Sequence, residues 1–270
     1  MTIAWHTMHT LVDRRVILKT REARADAAWR VRRVGRRFGL LVFHLGTDHI
    51  HTVVTCPKSD LPAFAQAVEC SLTRGCNLDV GFARYHAKPV SDQGHLERLF
   101  GYVLRQEAHH GTSLDLVHMG SNGPDLAGLR LAGAHERRLM AQTAPRVRPD
   151  ELQRILLRGR PLVELDQLGA APHGLEGERL EALLLQSGAS ALGRADLDGQ
   201  SRPVLRVRRS LFEIVANSPL GKTVDLARMF GDPRRRRRLV ARPVDPTISA
   251  SVRKLIEFHC AMAGPAGTPR

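Results

Sequence analysis

The run LLVFHLGTDHIHTVVTC, residues 40 to 56, constrains this chain more than any other stretch. Two blocks rich in β-branched and apolar residues flank Gly46-Thr47-Asp48, a turn-like triplet. The run therefore reads as a pair of strands, 40 to 45 and 49 to 55. On a strand, residues two apart share a face. His49 and His51 then project together, with Ile50, Thr52 and Val54 on the other side. Two imidazoles held side by side can bind a divalent metal or, when protonated, a phosphate. They can equally be surface or hydrogen-bonded histidines, because 13 histidines in 270 residues produce such pairs by chance.

Charge narrows the partner. Forty-one Lys and Arg against 27 Asp and Glu give a net charge of +14, nearly all of the excess from arginine. Arginine forks phosphate with two parallel bonds and stays charged, so a chain of this kind reads as a nucleic-acid binder. A GC-rich genome would also raise the arginine count, but it would supply Asp and Glu as well. Cys56, Cys70, Cys76 and Cys260 show no CxxC pair and no zinc-finger spacing, and read as free thiols of a reducing cytoplasm. The N-terminal segment lacks the apolar core of a signal peptide, and no run is long enough to span a membrane.

Around the histidine run the elements alternate. Residues 15 to 20, RVILKT, read as a strand. Residues 25 to 38 read as a basic helix, with Ala28, Val31 and Val34 at helical spacing. Its arginines, Arg30, Arg33, Arg36 and Arg37 among them, form either a solvated face or a phosphate-facing one. Residues 59 to 77 carry helix-start signals and an apolar stripe of Phe64, Ala67, Val68 and Leu72. Residues 82 to 89 read as a strand. Residues 91 to 111 read as a helix with a stripe of Leu96, Leu99, Phe100, Val103 and Leu104. That order predicts an α+β domain with an antiparallel sheet and helices packed on it. Residues 119 to 134 are Gly-rich and read as a linker. Beyond them nearly every segment suits a helix, which predicts a mostly helical domain over 135–270.

The helix after the last strand carries Tyr102 and, four residues on, Gln106, which places them on one helix face. A tyrosine hydroxyl near a metal-held phosphate can attack phosphorus; the alternative is a ring that packs while its hydroxyl meets water. With DHIH supplying His49 and His51, and GYVLRQE supplying Tyr102 and Gln106, residues 10 to 118 resemble the single-tyrosine HUH transposases, REP-associated tyrosine transposases among them. Those proteins place His-hydrophobic-His on a central strand. A later helix carries the tyrosine and an Asn or Gln four residues on. This chain has Thr47-Asp48 and Gln106-Glu107 where the family commonly has Pro-Asn and Asn-Pro.

The resemblance implies a ferredoxin-like catalytic domain over 1–118. It implies Tyr102 as nucleophile and a divalent metal, Mg or Mn, held by His49, His51 and Gln106. Single-stranded or hairpin DNA would be cut and rejoined through a 5′-phosphotyrosine, often in a homodimer. The alternative function is a non-catalytic DNA-binding protein or regulator derived from a transposase. A replication initiator would use the same chemistry, but no GxxxxGK[ST] motif is present to support a fused helicase.

The second half adds its own DNA signal. In TVDLARMFGDPRRRRRLVAR, Ala227 and Gly231 are spaced as in a helix-turn-helix over 223–242, with Asp232 as cap and Pro233 opening the second helix. Arg234, Arg235, Arg236, Arg237 and Arg238 would make that helix a DNA-facing surface. Arg237 stands where a recognition helix turns an apolar residue inward. The other reading is a basic segment that binds phosphate without specificity.

Overall fold

The computed structural model describes residues 3–106 and 118–264, which divide into two compact units. The first comprises residues 1–127 and 133–156, and the second 128–132 and 157–270.

The first unit is built on a four-stranded antiparallel sheet in the order β2-β3-β1-β4. Its strands are β1 (Ala4–Thr10), β2 (Leu40–Leu45), β3 (His49–Val54) and β4 (His86–Val90). Helix α1 (Arg21–Gly35) follows β1, α2 (Leu61–Gly75) follows β3, and α3 (Gln93–Leu104) follows β4. The βαββαβ order with this strand arrangement is the ferredoxin-like α+β fold that the sequence led us to expect.

β2 and β3 are buried along their whole length, which explains their near-continuous apolar character. The two faces of the sheet differ. Phe43, Leu45, Ile50 and Val54 join Ala27 and Val31 of α1 with Phe64, Val68 and Leu72 of α2 in one hydrophobic core. Each large apolar side chain closed off in this way contributes about 1.5–3 kcal/mol. A polar chain runs through the same face: the Thr7 and Thr52 hydroxyls lie 2.6 Å apart, Thr7 meets His9 Nε2 at 3.0 Å, and His9 Nδ1 meets Glu69 at 2.8 Å. The opposite face carries His49 and His51 and is covered by α3.

Two elements differ from expectation. Residues 15–20 form no strand; Ile17 and Leu18 are both buried, and an alternating strand would have pointed one of them away. The strand is instead AWHTMHT, residues 4 to 10, which slots between β3 and β4. The Gly-rich stretch expected as a linker lies, up to Ala127, inside the first unit. Leu45 N donates to Gly120 O at 2.7 Å, and His44 bridges Ser121. The fully buried Asn122 accepts from Phe43 N at 2.9 Å and donates to Leu41 O at 3.0 Å. β2 is an edge strand, so this segment satisfies backbone groups that would otherwise be unpaired. Helices α4 (Ala134–Thr143) and α5 (Pro149–Leu157) follow.

The second unit is helical as expected. It contains α6 (Gly177–Ala191), α7 (Arg202–Ala216), α8 (Leu226–Phe230), α9 (Pro233–Val240) and α10 (Pro246–Ala263). Leu180, Leu184, Val207, Leu211, Val252 and Leu255 are fully buried in its core. Residues 165–167, expected in a helix, form only a 3₁₀ turn. Among the described residues no helix is long and apolar enough to cross a membrane.

Candidate active site

β3 fixes the positions of both histidines. A side chain on Gly46 would place its Cβ 2.9 Å from the His49 carbonyl oxygen, while Gly46 N donates to that oxygen at 2.8 Å. The glycine thus closes the turn tightly enough for His49 to start β3. The pairing register puts Met8 opposite His51 and Thr10 opposite His49, while His44 of β2 stands on the other side of His51. Directly opposed residues share a face, so a row of imidazoles lies under α3.

The rings of His49 and His51 have centroids 4.7 Å apart and are nearly perpendicular. In each, Nδ1 is engaged. Asp48 Oδ1 accepts from His49 Nδ1 at 2.6 Å, and His51 Nδ1 lies 3.0 Å from His6 Nε2. A partner on Nδ1 fixes the tautomer and the orientation of an imidazole, and directs Nε2 to a ligand. Both histidines are buried.

His6 was not legible from sequence as a site residue. It stacks on His51 with centroids 5.2 Å apart. Burial, with help from the charges of Lys88 and His95, pushes its pKa down to about 4, so it is neutral at physiological pH. The WHTMHT alternation would have flagged it only if the segment had first been recognised as a strand.

α3 brings the tyrosine to this row. Asp92 caps the helix by accepting from His95 N at 2.7 Å, and Leu96, Leu99, Phe100 and Val103 bury its inner face. Tyr102 lies one position round from that stripe. Its ring meets His51 and His6 edge-on, with centroids 5.7 Å and 5.8 Å away. Tyr102 keeps 43% of its surface exposed while its ring is seated on the two histidines. Gln106 lies just beyond the end of α3, buried, and donates from Nε2 to the Tyr102 carbonyl oxygen at 3.3 Å. Glu107 falls outside the described residues.

The structure thus places His49, His51 and Tyr102 together and adds His6 and Asp48. Among the described residues, no group of three or more His, Cys, Asp or Glu side chains is arranged to hold a metal. The candidate donor set is two oriented imidazoles and the Gln106 amide, whose Nε2 is bonded to the Tyr102 carbonyl oxygen. Two nitrogens and an amide oxygen suit a divalent first-row metal.

The arginines fall into groups. On α1, Arg30 Nε donates to Asp26 at 2.6 Å, and Arg36 reaches Glu136 at 3.3 Å. Arg33 lies over the exposed ring of Trp29, 5.3 Å from its centroid, and Arg37 is exposed. Arg32 holds the buried Asp125 and serves the fold. In the second unit, α8 is only five residues long, and Gly231 turns with φ +87 into α9. Arg234, Arg235, Arg237 and Arg238 are exposed and Arg236 is half-buried. α9 fully buries none of its residues; Leu239 is its partly buried apolar position.

No family model and no curated protein matches the sequence. A solved structure of a REP-associated tyrosine transposase bound to a REP hairpin is similar to this chain at 18% identity and a TM-score of 0.37, covering 42% of this chain and 72% of that chain. A likeness of that degree leaves the chemistry to rest on the site's own geometry.

Proposed function

We propose that this chain is a metal-dependent strand transferase that cuts and rejoins single-stranded or hairpin DNA through Tyr102. The observation that carries the reading is the seating of a half-exposed Tyr102 beside the oriented pair His49 and His51. The phenol oxygen forms a bond to phosphorus, and the bond from phosphorus to the 3′ oxygen breaks. The phenol proton is given up and the departing oxygen gains one, leaving a 5′-phosphotyrosine and a free 3′-OH. Attack by a 3′-OH on that linkage reverses the step and joins strands.

His49 and His51 would hold a Mg or Mn ion through Nε2, with the Gln106 side-chain oxygen as third ligand. A bound divalent ion polarises the scissile phosphate and stabilises the charge that develops on it. Asp48 and His6 are positioning residues, which fix the two imidazoles. Arg33 and Arg37 on α1, and the exposed arginines of α9, would contact the DNA backbone. Arg30 and Arg36, offered from sequence in the same role, share their charge with Asp26 and Glu136 and would contribute less.

The test is a denaturing gel with 5′- and 3′-labelled single strands and hairpins, with Mn or Mg and with chelator. The expected product is a protein-linked 5′ end that requires metal. Cleavage that survives excess chelator would remove the metal from the reading. Tight binding without any adduct, across a broad library, would leave a DNA-binding regulator.

A further prediction concerns Asp48. Asp48→Ala is expected to weaken Mn affinity about 10- to 100-fold, as loss of an outer-shell partner does. Calorimetric titration of the full chain reads this without any turnover. Unchanged affinity would mean that His49 is not a ligand.

A further inference from the structure

We propose that the second unit carries a nucleotide-binding cleft between α7 and α9, in which arginines grip phosphate and an apolar floor receives one base of a single strand. The cleft has a volume of about 510 Å³. Arg208 of α7 and Arg235 and Arg238 of α9 line it, and Leu205, Phe230 and Leu239 contribute apolar lining. That volume is of the size that encloses a small ligand, and larger than any single phosphate needs.

Charge selects the ligand. Among the described residues no carboxylate lines the cleft. The nearby aspartates are committed as helix caps: Asp232 accepts from Arg235 N at 2.9 Å, and Asp225 from Ala227 N and Arg228 N. Arg228, at the edge of the cleft, is already held by Glu181 through two bonds of 2.6 Å and 2.8 Å. Among the described residues Arg208, Arg235 and Arg238 are in no ion pair; the Asp232 charge acts on Arg235 and Arg238, which leaves three cations against one carboxylate, an excess that an anion in the cleft would neutralise. Planar guanidinium forks match phosphate, and an apolar floor between them suits a flat base better than a carboxylate side chain.

The walls are fixed in place. Arg209 Nε donates to Leu239 O at 3.0 Å, which ties α7 to the end of α9. At Gly231 a Cβ would come within 2.8 Å of Arg235 Cδ, so the glycine leaves room for that arginine to fold back over the turn. A second cavity of about 260 Å³ shares Gln200 and Leu205 with the first and is lined by Arg202, Arg209 and Arg242, and by Arg206, which is paired with Asp245. The basic lining therefore continues past the cleft, as the next phosphates of a strand require, which favours a strand over a free nucleotide.

The test is fluorescence anisotropy of a labelled oligothymidine of about twelve nucleotides, a length typical of single-strand sites. It uses the full chain, with chelator throughout, so no cleavage is needed. A failure of the Tyr102 reading would leave this result standing, and the converse also holds. The combined variant Arg208→Gln, Arg235→Gln, Arg238→Gln is expected to bind at least about tenfold more weakly at moderate salt. It should also flatten the salt dependence by about 2 in log–log slope, the share of three single-strand phosphates. A control of equal charge loss outside the cleft, Arg179→Gln, Arg194→Gln, Lys254→Gln, at exposed positions of the second unit, should change binding less than about threefold. Gln200→Trp, which keeps every charge but fills the opening, should weaken binding as the cleft variant does. Circular dichroism confirms that each variant is folded.

Equal losses in the cleft and control variants would overturn the proposal in favour of a diffuse basic surface. Unimpaired binding by Gln200→Trp would overturn the cavity. Competition by thymidine monophosphate would show that a free nucleotide suffices, whereas displacement only by a strand would show that the linked phosphates are needed. Inorganic phosphate competing as well as the nucleotide would overturn the role of the apolar floor.

Discussion

Tyr102→Phe is expected to abolish the covalent protein–DNA adduct while leaving the protein folded and bound to DNA. The substitution removes one oxygen and nothing else. The ring, common to both residues, keeps its edge-on placement against His51 and His6. Since Tyr102 is 43% exposed and contributes little to the core, stability should change by less than about 0.5 kcal/mol. Loss of a nucleophile typically costs several powers of ten in rate, so the adduct should fall below detection, at least about 10⁴-fold. DNA affinity measured in chelator should stay within about twofold, since the proposed phosphate contacts come from arginine. An adduct that persists in the Phe variant would transfer the chemistry to another side chain, with Tyr85 the first to examine. It is the other tyrosine of the chain and stacks on His9, on the opposite face of the sheet.

The second large effect concerns the fold that holds the site. Asn122→Ala is expected to destabilise the first unit by about 3 kcal/mol. The side chain satisfies a buried N–H of Phe43 and a buried C=O of Leu41, and each group left without a partner costs about 1–3 kcal/mol. The loss is a large share of the roughly 5–15 kcal/mol by which domains are stable. Asn122→Asp should lose a comparable amount, because it keeps an acceptor for Phe43 but buries a charge and cannot donate to Leu41. Urea unfolding followed by circular dichroism measures both. A change below about 0.5 kcal/mol for the alanine variant would mean that water replaces the amide and that residues 118–126 do not close the edge of β2.

These two residues differ in how far the chain announces them. The spacing of His49 and His51, and that of Tyr102 and Gln106, are local facts. A period of two on a strand fixes the first pair, and the helical stripe from Leu96 to Leu104 sets the position of the second. His6 and Asn122 carry no comparable local signal. His6 reaches His51 only through the register of β1 on β3, across forty-five positions. Asn122 sits in a glycine-rich run whose composition suggests a linker, and becomes structural only because β2 ends the sheet and exposes unpaired backbone groups. Similarly, Ile17 and Leu18 suggest a strand by composition, yet both are buried in an irregular segment against α1 and α2.

The sequence by itself determined the alternation of strands and helices, the histidine pair, the tyrosine and the basic character of the second half. All of these depend on spacing within a few residues or on counting charges. The tertiary structure decided which strand became β1, which imidazole joined the pair, and which segment closed the open edge. It also decided which arginines stayed available, since Arg30 and Arg36 found carboxylates while Arg208, Arg235 and Arg238 came to surround a cavity. Those outcomes depend on register, edge satisfaction and charge pairing between residues distant in the chain, where packing energy and the cost of unpaired polar groups make the choice.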